Sequence, residues 1–75
     1  MIAADQIKSA ILAMGKRKGL NSPFPLSDVA KELDPVNWEE LMEPVNLVAE
    51  VLIMQGYIKK EGDFIALMVG KEKYP

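Results

Sequence analysis

Residues 38–56, WEELMEPVNLVAEVLIMQG, followed directly by YIKKEGDFIALM at 57–68, decide the fold. Trp38, Leu41, Met42, Val45, Val48, Ala49 and Leu52 recur at i, i+3, i+4, i+7, i+10, i+11 and i+14. That spacing predicts one apolar stripe of a helix, kept in phase for about four turns. Gly56 is placed to end the helix. Residues 57–60 and 64–68 then read as two short strands around Glu61-Gly62-Asp63, a tight turn with Gly at the demanding position.

Working outward, Ile7, Ala10, Ile11 and Met14 share one face, which predicts a first helix over about 4–15, ended by Gly15 or Gly19. Residues 16–25, KRKGLNSPFP, read as loop. Phe24-Pro25-Leu26 is expected to be extended, because the residue before a proline avoids the helical region. A second helix is expected over 27–33. Ser27 is its N-cap, Asp28 meets the positive end of the dipole, and Val29, Ala30 and Leu33 face inward. Asp34-Pro35 ends it. Asn37 is expected to cap the third helix, with Glu40 closing a capping box. Pro44 lies too deep for the free first turn, so the favoured reading is a short helix over 38–42 leading into a nearly coaxial main helix over 44–55. A polar tail follows at 70–75. The pattern is one domain over 1–75, of α+β class. Its order of helix, short strand, helix, helix and hairpin is that of a winged helix-turn-helix, three helices and a short β-hairpin wing.

Seventy-five residues leave a thin core, which buries only about 60% of the surface of the unfolded chain. There is no Cys and no His. No disulfide or thiolate site supports the core, and the common zinc ligands and the commonest neutral-pH general base are missing. The carboxylates lack calcium-loop spacing, so no metal and no cofactor is expected. No apolar run approaches the roughly 20 residues of a membrane span, and the N-terminus lacks a signal-peptide pattern. The expectation is a cytoplasmic protein that does not meet the membrane. Glu39, Glu40 and Glu43 sit on a polar helix face, where nothing would raise a carboxylate pKa for acid–base work, so no catalytic residue is assigned and no enzyme is expected.

The net charge of −2 is unevenly spread. Lys8, Lys16, Arg17 and Lys18 face only Asp5 within residues 1–26, whereas residues 27–50 hold seven acids and one base, Lys31. On a helical wheel, a second apolar row lies opposite the core stripe of the third helix: Pro44, Leu47, Val51 and Met54. Beside it runs a strip of Glu39, Glu43, Asn46 and Glu50. The ordinary fate of such a row is burial, with the helix sandwiched between the first helix and the wing or tail; this is the favoured reading. Exposed, the row would be a partner or self-association surface. The acidic strip opposes phosphate, because affinity for duplex DNA rests on Lys and Arg. The basic candidates for nucleic acid are Lys16, Arg17 and Lys18 at the end of the first helix and Lys59 and Lys60 on the wing. Trp38 reads as a core anchor and the five Met residues as core filler.

The run V-A-K-E-L at 29–33, W-x-x-L-M-x-x-V at 38–45, A-x-x-L at 49–52 and G-Y-I at 56–58 resembles a bacterial family of small winged-helix domains of unknown function. The match covers residues 7–65. The resemblance implies three helices and a short wing; it implies no activity, cofactor or partner. Two features differ from the family pattern: Asn46 stands where an Arg is typical, and a Gly-Pro-Ile-Arg-like ending is replaced by residues 69–73, VGKEK.

Two functions follow. The first is a non-catalytic interaction module that binds an unknown protein partner or forms a homodimer through Glu43, Leu47, Glu50, Val51 and Met54. The alternative is a weak, largely sequence-independent DNA- or RNA-binding domain of transcription-regulator type, using Lys16, Arg17, Lys18, Lys59 and Lys60. The charge pattern places the first slightly ahead.

Overall fold

The computed structural model describes residues 2–19 and 21–68. The polar tail expected over 70–75 lies outside the described residues. The chain is α+β. Helix α1 (Ala4–Lys18) leads through a short loop to strand β1 (Phe24–Pro25) and helix α2 (Leu26–Leu33). Helix α3 (Trp38–Gln55) follows, then strands β2 (Ile58–Glu61) and β3 (Phe64–Leu67). The three strands form one antiparallel sheet in the order β1-β3-β2. Phe24 stands opposite Ile65, and Lys60 shares that register from the other side. The arrangement is compatible with a winged-helix-like topology.

Helix α1 starts where the Gln6 side chain accepts a hydrogen bond from the Ala3 backbone N–H at 3.0 Å, with Asp5 in the first turn. It runs three residues past the expected end at 15, and its last turn holds Lys16, Arg17 and Lys18, where cations meet the negative dipole end. Gly15 therefore lies inside the helix. Its backbone packs on β3: a Cβ there would stand 3.1 Å from the Leu67 Cβ. Gly19, at φ +102°, ends the helix.

The expected caps change. Helix α2 begins at Leu26, with Pro25 in the cap position and no side-chain cap, so Ser27 lies in the first turn and is not the N-cap. Pro25 already has the extended backbone that a cap residue needs, with φ −80° and ψ 147°. Asn37 occupies the cap position of α3, but its side chain makes no cap bond. The capping box with Glu40 is replaced by Asp34, whose Oδ1 accepts from the N–H groups of Val36 and Asn37 at 3.2 and 3.1 Å. This is an Asx-type turn, in which an Asp side chain bonds backbone N–H groups just ahead of it.

Helix α3 is continuous through Pro44, which corrects the expected break after residue 42. Proline removes one N–H, so the Glu40 carbonyl loses its i+4 donor. Both halves of the helix pack on the same core. Trp38, Leu41 and Met42 before the proline, and Val45, Ala49 and Leu52 after it, join one cluster with Ile7, Ile11, Phe24, Val29 and Ile65. The helix ends as the sequence indicates. Gly56 is left-handed at φ +87°, its N–H bonds to the Ile53 carbonyl, and the Tyr57 N–H bonds to that of Leu52, both at 3.0 Å. A left-handed residue with a Cβ costs roughly 1–2 kcal/mol, so Gly56→Ala is expected to destabilise the chain by about that much in urea unfolding. An unchanged midpoint would contradict this C-terminal geometry.

The hairpin turns at Gly62-Asp63, with positive φ at Gly62 (+64°) but not at Asp63. That is the pattern of a two-residue turn with glycine first. Beyond β2 and β3, the Met68 N–H donates to the Tyr57 carbonyl at 3.1 Å, and the Asn21 N–H donates to the Leu67 carbonyl at 2.9 Å. Among the described residues, no helix is long and apolar enough to cross a membrane.

Candidate functional site

The core stripe of α3 buries Val45, Ala49 and Leu52 against α1, α2 and the sheet. All three neighbours lie on that side. The opposite side is open. Leu47 is 60% exposed, Val51 51% and Met54 86%; Pro44 is half-buried. Among the described residues the row is thus not sandwiched between the first helix and the wing; the tail, the other covering element expected, lies outside them. The first helix and the wing both pack on the core stripe, and among the described residues no element covers the second row. Glu39, Glu43, Asn46 and Glu50 are likewise exposed along its flank, and Glu40 is exposed near its N-terminal end. No Lys or Arg occurs in α3. The five residues expected to form a partner surface, Glu43, Leu47, Glu50, Val51 and Met54, thus share one open helix face.

The basic candidates are dispersed by comparison. Lys16, Arg17 and Lys18 close α1 and are exposed, but Arg17 is paired with Glu32 on α2. Arg17 and Lys18 line an open groove of about 490 Å3 with Lys31, Asp28 and Glu32, so that groove carries both signs. Lys60 lines a different groove, of about 270 Å3, beside Asn46, Met42 and Asp63. Lys59 is paired with Glu61 at 3.2 Å. Arg17 and Lys18 thus line one groove and Lys60 another.

Two further cations are taken up by aromatic rings, which the sequence analysis missed. The Lys31 Nζ stands 4.7 Å from the centroid of the Trp38 ring, and the Lys8 Nζ 5.8 Å from that of Tyr57. Trp38 is half-buried at the edge of the core, as a core anchor would be, and it also holds this cation. Also missed was a small apolar groove of about 190 Å3 between the first turns of α1 and the last turns of α3, with Val48, Val51 and Leu52 on one wall and Asp5 and Lys8 on the other. No spacing signals it, because its walls are some forty residues apart in the chain.

Among the described residues, no three carboxylates gather closely enough to hold a metal ion, and no buried side-chain polar atom lacks a hydrogen-bond partner. The arrangement offers surface contact: an apolar row, an acidic border and a shallow apolar groove at one end. No family model, curated protein or solved structure matches the chain.

Proposed function

We propose that this chain is a cytoplasmic, non-catalytic interaction module on a winged-helix frame, and that it docks a partner through the outward face of α3. One observation carries the reading: Leu47, Val51 and Met54 stand in solvent on one face of a continuous helix. Scattered single apolar residues on a surface need no explanation, but three in register on one helix face form a patch of the kind that marks interaction sites. None of the three supports the core.

The charge pattern favours a protein partner over nucleic acid. In helix-turn-helix proteins the exposed helix enters the major groove. Here that face presents Glu39, Glu40, Glu43 and Glu50 without a cation. Arg17 and Lys59 are already in ion pairs, which reduces what they offer to phosphates.

A photo-crosslinking amino acid at Leu47, compared with one at the exposed Ala13 of α1, tests the reading in the source cells. Polypeptide adducts from position 47 but not from 13 are expected. Adducts to nucleic acid, or none from position 47, would overturn it. In a parallel titration at low ionic strength, duplex DNA is expected not to bind. Salt-sensitive binding that disappears in a Lys59→Glu/Lys60→Glu variant would turn the assignment to the alternative.

A further inference from the structure

The open face of α3 has a chemical signature that narrows what can cover it. Its apolar row is bordered by Glu39, Glu43 and Glu50, and the helix holds no cation. Its last turn also lacks a basic residue of its own; the nearby cation, Lys8 of α1, is directed over Tyr57. Pro44, half-buried, lies at the N-terminal end of the same row. The acidic border, with no cation on the helix, favours a partner that brings positive charge.

Shape agrees with a helix as that partner. From Glu43 to Met54 the face runs roughly 16 Å, about three helical turns, with apolar positions at 47, 51 and 54. An amphipathic helix places anchors at matching i, i+3/i+4 and i+7 spacing. Val51 of the row also lines the groove shared with α1. At about 190 Å3 that groove is smaller than the roughly 300–1,000 Å3 of small-molecule sites and suits one apolar side chain. Lys8, at the groove's edge, is directed over Tyr57.

A second copy of the chain fits less well. A two-fold contact centred on Leu47 and Val51 would bring Glu50 of each copy close to the axis, with Glu43 and Glu39 of both copies bordering the same interface. Like charges would meet across it, and neither copy's α3 has a cation to offset them.

We infer that the outward face of α3 receives a cationic amphipathic helix from another protein, whose apolar stripe packs on Leu47, Val51 and Met54 and whose Lys and Arg side chains lie beside Glu39, Glu43 and Glu50. This rests on the reading of α3 as a docking face and adds the class of partner. The border is solvent-exposed, so each ion pair contributes only about two- to five-fold in affinity; three together distinguish partners by sign.

The test uses the full chain and three synthetic helical peptides with the same leucine stripe. One has Lys and Arg on its flanks, one has Glu, and one keeps the basic flanks with serine in place of leucine. Binding is read by fluorescence anisotropy, and the contact face by amide chemical shifts. The basic leucine peptide is expected to bind roughly tenfold or more tighter than the acidic one, to weaken as salt rises, and to shift residues 43–54. The serine peptide should lose binding. Glu43→Lys/Glu50→Lys, with both sites exposed and away from the core, should reverse the preference toward the acidic peptide. Equal binding of both charge forms, or binding of neither, would overturn the inference. So would a doubled hydrodynamic mass of the free chain that Leu47→Ser abolishes, or displacement of the peptide by duplex DNA. Polypeptide adducts from position 47 alongside any of the first three failures would leave the docking-face reading standing, whereas loss of those adducts removes both.

Discussion

Phe24→Ala is expected to destabilise the chain by about 3–5 kcal/mol. Phe24 is the largest fully buried side chain, 1% exposed, on the two-residue strand β1 that closes one edge of the sheet. It packs into the cluster that joins Ile11, Val29, Leu52 and Ile65. Removing a buried Phe side chain costs about 3–5 kcal/mol, part in lost transfer energy and part in the cavity left behind. Domains are stable by only about 0.05–0.15 kcal/mol per residue, so this change removes roughly a quarter of the stability of a 75-residue chain at the high end of that range and all of it at the low end. Urea unfolding followed by Trp38 fluorescence measures the loss. Leu47→Ser, on the open face of α3, provides the contrast, with an expected change within about 0.5 kcal/mol. A loss below about 1 kcal/mol for Phe24→Ala would contradict the burial of β1. A comparable loss for Leu47→Ser would contradict the open face.

Pro44→Ala is expected to act in the opposite direction and raise stability by roughly 1–3 kcal/mol. A proline inside a helix is about 3 kcal/mol less favourable than alanine, because it removes a hydrogen bond and crowds the preceding turn. Part of that gain is offset, by about 0.4–1 kcal/mol, because alanine gives the unfolded chain more freedom. Packing lost from the half-buried ring offsets a little more. For a chain of this size each kcal/mol moves Tm by about 4–8 °C, so the shift is large enough for a thermal melt. The sign is the decisive readout. If α3 were two helices joined at residue 43, Pro44 would open the second one, where it is well tolerated, and alanine would not stabilise. A lowered Tm would therefore restore the two-helix reading.

A proline that weakens a helix fits a surface that serves contact rather than stability. Pro44 lies on the same side of α3 as Leu47 and Val51, and it keeps the Glu40 carbonyl free of its usual donor. The exposed Leu47, Val51 and Met54 carry the same trade of solubility for contact.

Much of the architecture was legible because local patterns and tertiary packing agree. The stripe Trp38, Leu41, Met42, Val45, Val48, Ala49 and Leu52 identified the inward face of α3, and each of these residues is buried or packs on the core. Gly56 and Gly62 marked the helix end and the hairpin turn because few other residues accept positive φ. Local rules misled where two of them competed. Gly15 and Gly19 are equal candidates for the helix end by residue type; Gly19 is the end, and the missing Cβ of Gly15 serves a close approach to Leu67, a contact invisible along the chain. Ser27 and Asn37 were sound caps by residue type, yet Pro25 and Asp34 had already set the entry geometry.

The sequence alone determined the periodicities, the turn glycines and the charge of each helix face, because these depend on residues a few positions apart. Only the tertiary structure decided which side of α3 meets solvent. The wheel shows two apolar rows on one helix, and nothing local ranks them. That choice was made by α1, α2 and the sheet, which all pack on the row holding Val45, Ala49 and Leu52 and leave the row of Leu47, Val51 and Met54 uncovered.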